Sequence, residues 1–153
     1  MGQAPYPVTS PRRGRPWHLW GIATLFFALY VGGAWDFTNL LEPRVSYIEG
    51  QGWGAPAVDY FTDYPLPAHV LWGVSIVSGL VAAVLLLLRS RTAVVAAAIA
   101  AASQLALLVV TFSFMGRWEV LPAFTHAWDL GIGAVATGVW LYARRMRRSG
   151  VLG

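Results

Sequence analysis

Four ionisable side chains in this sequence could do chemistry, and each lies near one end of a long apolar run: Asp36, His69, His126 and Asp129. Such residues are rare inside apolar runs, because burying a charge in lipid costs free energy. His126 and Asp129 are three residues apart, so they share one face of a helix. A carboxylate beside an imidazole can orient the ring, relay a proton or supply part of a metal site.

Asp36 has a second set of neighbours at helical spacing, namely Gly32, Gly33 and Asn39. Glycines beside an acid let a neighbouring helix approach closely. Asp36 is therefore a candidate ligand- or proton-binding carboxylate. The favoured alternative is a structural acid bonded to Asn39, to a backbone amide or to a tyrosine. For the histidine–aspartate pair, too, a local structural pair near the membrane interface is favoured over a proton or ligand site.

Two further alternatives for the histidines require a bound group. His69 and His126 could each supply one axial ligand to a haem, or could bind a divalent metal together with one aspartate. Both histidines lie at the edges of their apolar runs, and no second pair lies deeper. No metal and no cofactor is therefore predicted. Gln104, near the middle of its run, is predicted to make an interhelical hydrogen bond, and Asn39 is a second structural polar residue.

Four apolar runs must position these residues. Hydrophobic residues make up 57% of the 153 residues and charged residues only 12%, whereas soluble domains are nearer half apolar and a quarter charged. A spanning helix needs roughly 20 apolar residues, and the spans fall at about 17–40, 66–88, 92–114 and 122–143. The sequence predicts an all-α, polytopic membrane protein with a four-transmembrane-helix bundle. The absence of cysteine excludes disulfide and thiolate chemistry.

The basic residues predict the orientation of this bundle. All eleven are arginine, and nine lie in three clusters at 12–15, 89–91 and 144–148. Positive residues stay in the cytoplasm, so both termini and the tight turn at 89–91 are predicted to lie there. The membrane is predicted to be a bacterial inner membrane. Residues 1–16 are predicted to be a disordered tail and 144–153 a basic tail. Nucleic-acid binding is excluded as a role for these arginines, because they flank apolar spans.

The external link 41–65 is the least lipid-like part of the predicted bundle. Within it, the segment 56–64 begins with a proline, precedes another, and has apolar residues at helical spacing. We expect a short amphipathic helix there, lying on the periplasmic membrane surface or capping the bundle.

Three stretches carry a resemblance to a known family: "LWGIATLFFALYVGGAWDF" (19–37), "DYPLPAHVLWGVSIVSGLVAAVLLLLRSRTA" (63–93) and "LYARRMRRSGVL" (141–152). The first ends in a Gly-x-x-Asp-aromatic pattern formed by Gly33, Asp36 and Phe37. Together they resemble short, functionally uncharacterised four-helix inner-membrane proteins of alphaproteobacteria, some of which are labelled sugar transporters. The resemblance implies the same four-helix architecture. His126 and Asp129 are not part of the family's pattern, so it implies no role for them.

Three functional classes follow from these observations. The favoured prediction is a non-enzymatic accessory or interaction subunit, because few polar groups are buried; its partners are the bilayer and a larger membrane complex or further copies of itself. The alternative is an oligomeric transporter of a small solute or ion that uses an outer-leaflet cluster of Asp36, His126 and Asp129. A redox or hydrolytic membrane enzyme is the least favoured class.

Overall fold

The computed structural model describes residues 17–153, and every regular element in that range is a helix. The four long helices are α1 (Trp17–Leu41), α4 (Leu66–Leu87), α5 (Ala93–Phe114) and α7 (Ala123–Arg148). The three short helices are α2 (Val45–Gly50), α3 (Ala55–Thr62) and α6 (Arg117–Val120). The all-α prediction is therefore confirmed for the described residues. The predicted tail at 1–16 lies outside them.

Three of the helices, α1, α4 and α5, are long and apolar enough to cross a membrane. The fourth long helix, α7, has 26 residues but is less apolar than the other three, because it contains His126, Asp129 and the four arginines at 144–148. It also continues five residues past the predicted end of the fourth span, so these arginines belong to its last turns. Cations are favourable there because they face the negative end of the helix dipole.

The long helices pack in the order α1–α4–α5–α7, with α4 and α5 in the most extensive contact. Alanines and glycines make this close packing possible. At Gly79 in α4, an added Cβ would overlap the ring of Tyr30 in α1. At Gly133 in α7, an added Cβ would lie 2.7 Å from Leu108 of α5. The two glycines thus allow α1 to pack closely on α4 and α7 to pack closely on α5.

One end of the bundle, here called the arginine end, holds the turn between α4 and α5 and the end of α7. Arg89 has a positive φ of 59° in that turn. The backbone N–H of Gly153 donates to the carbonyl oxygen of Arg89 at 3.0 Å, and the side chain of Leu152 is buried in the core. At the same end, Nδ1 of His18 and the hydroxyl of Tyr142 form a 2.7 Å hydrogen bond between α1 and α7.

The other end, here called the covered end, lies beneath the short helices. Ala57 and Phe61 of α3 are buried in one apolar cluster with Leu40 and Leu107 of the long helices and with Leu121, which follows α6. The segment predicted to be helical at 56–64 is thus helical as far as Thr62, and this helix packs on the bundle. The short helix α6 was not predicted.

Candidate ligand-binding site

A cavity of about 510 Å³ lies between the four long helices at the covered end. Its wall includes Asp36 and Asp129 from α1 and α7, and Arg117 from α6. Towards the middle of the bundle it reaches Ser75 and Gln104. This central cavity therefore brings together two of the four candidate site residues predicted from the sequence, and it adds an arginine.

Arg117 reaches Asp129 because the chain turns sharply after α5. Gly116 adopts a φ of 60° there, which glycine tolerates and most residues do not. Nε of Arg117 lies 2.6 Å from Oδ2 of Asp129, and the two side chains are only 13% and 17% exposed. Burial lowers the pKa of Arg117, but the carboxylate of Asp129 and the hydroxyl of Tyr60 raise it by more. The guanidinium is therefore charged at every physiological pH.

Asp36 is held by a tyrosine from outside the long helices. The hydroxyl of Tyr47 in α2 donates to Oδ1 of Asp36. Burial, together with this hydrogen bond and the negative charge of Asp36, raises the pKa of Tyr47 to about 12. Tyr47 thus stays protonated and remains a donor. Asn39 is bonded elsewhere, because its amide donates to the carbonyl of Trp35 at 2.8 Å; of the partners considered for Asp36, the tyrosine is the one observed.

His126 does not pair with Asp129 through a hydrogen bond within residues 17–153. Its Nε2 instead donates to the backbone carbonyl of Arg117 at 3.1 Å. The ring also contacts Trp118 of α6 and Phe112 of α5, with centroids 4.8 and 5.6 Å away. The proposed local pair is thus replaced by two separate contacts to Arg117: Asp129 binds its side chain, and His126 binds its backbone.

His69 does not line the central cavity. Its ring contacts Tyr64 and Phe37, and its buried Nε2 has no hydrogen-bond partner among the described residues. The two histidines thus contact different aromatic side chains. In the part of the chain from 17 to 153, no group of three or more His, Cys, Asp or Glu residues could hold a metal ion.

The inner end of the cavity is polar. The hydroxyl of Ser75 donates to Oε1 of Gln104 at 3.1 Å, which joins α4 to α5. Both side chains are buried. An interhelical bond of this kind in an apolar bundle contributes about 1 kcal/mol.

Sequence reasoning missed two residues of this site, Arg117 and Tyr47. Both lie in links between long helices, where no helical periodicity relates them to the spans. The signal that could have identified Arg117 is its charge, since it is one of only two arginines outside the three clusters.

No protein-family model, curated protein or solved structure matches the chain. Its function is therefore argued from the site itself, because a fold alone does not define a function.

Proposed function

We propose that this protein is a four-span inner-membrane protein that binds a small organic solute in its central cavity, as the binding step of transport. The single observation that carries this proposal is the cavity itself. Its volume is typical of small-molecule sites, and so is its largely apolar wall with a few polar groups. The accessory-subunit role stays a prediction of the sequence, since such a role needs no cavity of this size between the long helices.

The membrane setting is supported by the surface of the long helices. Large apolar side chains are exposed along α1, α4 and α5, among them Leu25, Val77 and Val109. In α7, Leu130, Val135 and Leu141 are exposed in the same way, which supports α7 as the fourth span. Exposed apolar surface of this extent is unfavourable in water and suits lipid.

The orientation is supported by the arginines. The arginine end holds six of the nine clustered arginines, at 89–91 and 144–148. Positive residues of this kind stay in the cytoplasm, so the covered end and its cavity face the periplasm. The solute would enter from that side.

The absence of cysteine makes a direct test possible, because single thiols can be introduced at chosen positions. Gly33 lines the cavity, whereas its neighbour Gly32 is exposed on the outside of α1. An added Cβ meets no atom within 4 Å at either position. Gly33→Cys and Gly32→Cys are therefore a matched pair that differ in the direction of the thiol.

In right-side-out membrane vesicles, a membrane-impermeant thiol reagent should modify Gly33→Cys at least about tenfold faster than Gly32→Cys. The reason is that a thiol in lipid does not ionise, and the thiolate is the reactive form. Equal rates, or no reaction at Gly33→Cys, would overturn the proposal of a cavity open to the periplasm.

A further inference from the structure

The charges of the ionisable side chains that line the central cavity do not cancel. Two carboxylates, Asp36 and Asp129, and one guanidinium, Arg117, line it. Arg117 and Asp129 neutralise each other across 2.6 Å. Within residues 17–153, Asp36 has no cationic partner and accepts a hydrogen bond only from the neutral hydroxyl of Tyr47. The lining of the cavity therefore carries a net charge of −1.

The wall of the cavity is rich in aromatic side chains. Seven of them line it, among them Trp53, Trp72 and Trp128. The faces of such rings carry partial negative charge and attract cations, most strongly where water is excluded. An aromatic wall around one unneutralised carboxylate suits a cation with an apolar body.

We infer that the solute is an organic monocation, such as a substituted ammonium with an aromatic or aliphatic body, bound between Asp36 and the aromatic wall. This assignment rests on the proposed function and specifies its ligand class.

Other ligand classes fit the cavity less well. An anion would need the positive charge of Arg117, but Asp129 already neutralises this charge. A bare metal ion would need several converging ligands, and no group of three or more His, Cys, Asp or Glu residues that could supply them occurs within residues 17–153.

A sugar would need free hydroxyl and amide groups in the wall. The hydroxyl of Thr111 instead donates to the carbonyl of Leu107 at 2.9 Å, and that of Thr125 donates to Pro122 at 2.7 Å. Ser75 is likewise bonded to Gln104. The hydroxyl donors of these three residues are therefore used within the protein.

One further donor in the wall, Nε1 of Trp53, is buried without a hydrogen-bond partner among the described residues. This group can serve one polar atom of a ligand. A sugar needs a partner for each of its many hydroxyl groups, because a hydroxyl that loses its water without gaining a partner costs free energy.

The charge preference can be measured with two thiol-reactive methanethiosulfonates, one ending in trimethylammonium and one in sulfonate. The ratio of their rates at Gly33→Cys is compared with that at Gly50→Cys, an exposed position in α2 with no atom near an added Cβ. We expect the cationic reagent to be favoured at Gly33→Cys by at least about tenfold over the reference ratio. A ratio equal to the reference, or lower, would overturn the cation assignment.

Protection of the thiol by a non-reactive ligand tests which class of ligand binds in the cavity. Benzyltrimethylammonium should slow labelling of Gly33→Cys, whereas benzyl alcohol and phenylacetate should do so only at concentrations at least about tenfold higher. Adding Asp36→Asn should raise the half-protecting concentration of benzyltrimethylammonium about tenfold or more. Asp59→Asn, at an exposed carboxylate of α3, should leave it unchanged.

The outcomes separate the two proposals. Labelling of Gly33→Cys with equal protection by all three ligands would sink the cation class but keep the solute-binding cavity. Labelling without protection by benzyltrimethylammonium would also sink the cation class. No labelling at all would remove the proposed function itself. If Asp36→Asn does not fold, the rate ratio in the Gly33→Cys protein still decides the charge preference.

Discussion

Arg117 and Asp129 join the short helix α6 to the long helix α7 through a 2.6 Å contact between Nε and Oδ2. Both side chains line the central cavity, so the ion pair is part of the wall as well as a link between elements. Because the two charges neutralise each other, Asp36 carries the net charge of the cavity.

Removing one partner of this ion pair should lower the free energy of unfolding. Arg117→Met leaves the carboxylate of Asp129 without its partner, and a buried unpaired charge destabilises by about 3 kcal/mol. An unfolding titration in mild detergent would measure this loss. Arg44→Met, at an exposed arginine, should change the free energy of unfolding by less than about 0.5 kcal/mol.

The double variant Arg117→Met with Asp129→Leu supplies the decisive comparison. It removes both charges, so most of the stability lost in Arg117→Met should return. Equal losses in the single and double variants would show that the pair does not interact as the geometry indicates.

The phenol of Tyr47 should ionise at high pH. Its pKa is raised from the ordinary value of 10.0 to about 12, so the folded state holds this proton more tightly than the unfolded state. The resulting stability is fully present below about pH 10 and is lost as the pH rises from 10 to 12. A difference titration of phenolate absorbance between the native protein and Tyr47→Phe should show the missing group ionising near pH 12. Ionisation of that group near pH 10 would contradict the hydrogen bond to Asp36.

Gly79 should tolerate no side chain. An added Cβ would overlap the ring of Tyr30, which is itself buried. Gly79→Ala must therefore displace that ring and should lower the free energy of unfolding by about 1–3 kcal/mol. Gly138→Ala, in α7 where no atom lies within 4 Å of the new Cβ, should be neutral or stabilise by up to about 1 kcal/mol. Similar effects at the two glycines would refute the close contact between α1 and α4.

The predicted orientation of the chain rests on its arginines alone. A fluorescent protein fused after Gly153 should fold and fluoresce in the cytoplasm, and a periplasmic phosphatase fused there should be inactive. The reason is that nine of the eleven arginines lie in the clusters predicted to be cytoplasmic. An active phosphatase fusion would reverse the membrane topology and place the cavity on the cytoplasmic side.

The lengths of the apolar runs located the long helices well, because a spanning helix needs roughly 20 apolar residues. Three of the predicted spans differ from α1, α4 and α5 by one residue at an end. For α7, the apolar run predicts an end at 143, five residues before the observed end at Arg148. A run of arginines ends the apolar span without ending the helix.

The pattern of apolar residues does not predict which side chains of the site contact one another. His126 and Asp129 were expected to satisfy each other because they share a helix face. Both are instead bonded to Arg117, which reaches them through the turn at Gly116. That turn and the position of Tyr47 depend on how the short helices pack on the bundle, and periodicity along one helix does not contain this information.

His69 and His126 each lie near one end of an apolar run, but replacing each of them by phenylalanine should change the stability of the protein differently. His126→Phe removes the donor to the carbonyl of Arg117. That carbonyl still accepts from the backbone N–H of Leu121, so the variant should lose only the net value of one hydrogen bond, about 1 kcal/mol. His69→Phe replaces a buried Nε2 that has no partner among residues 17–153 by an apolar ring among aromatic neighbours, so it should be neutral or stabilising. Thermal unfolding of the two variants in the same detergent would compare them directly. A larger loss for His69→Phe would mean that His69 has a polar partner or a bound ligand.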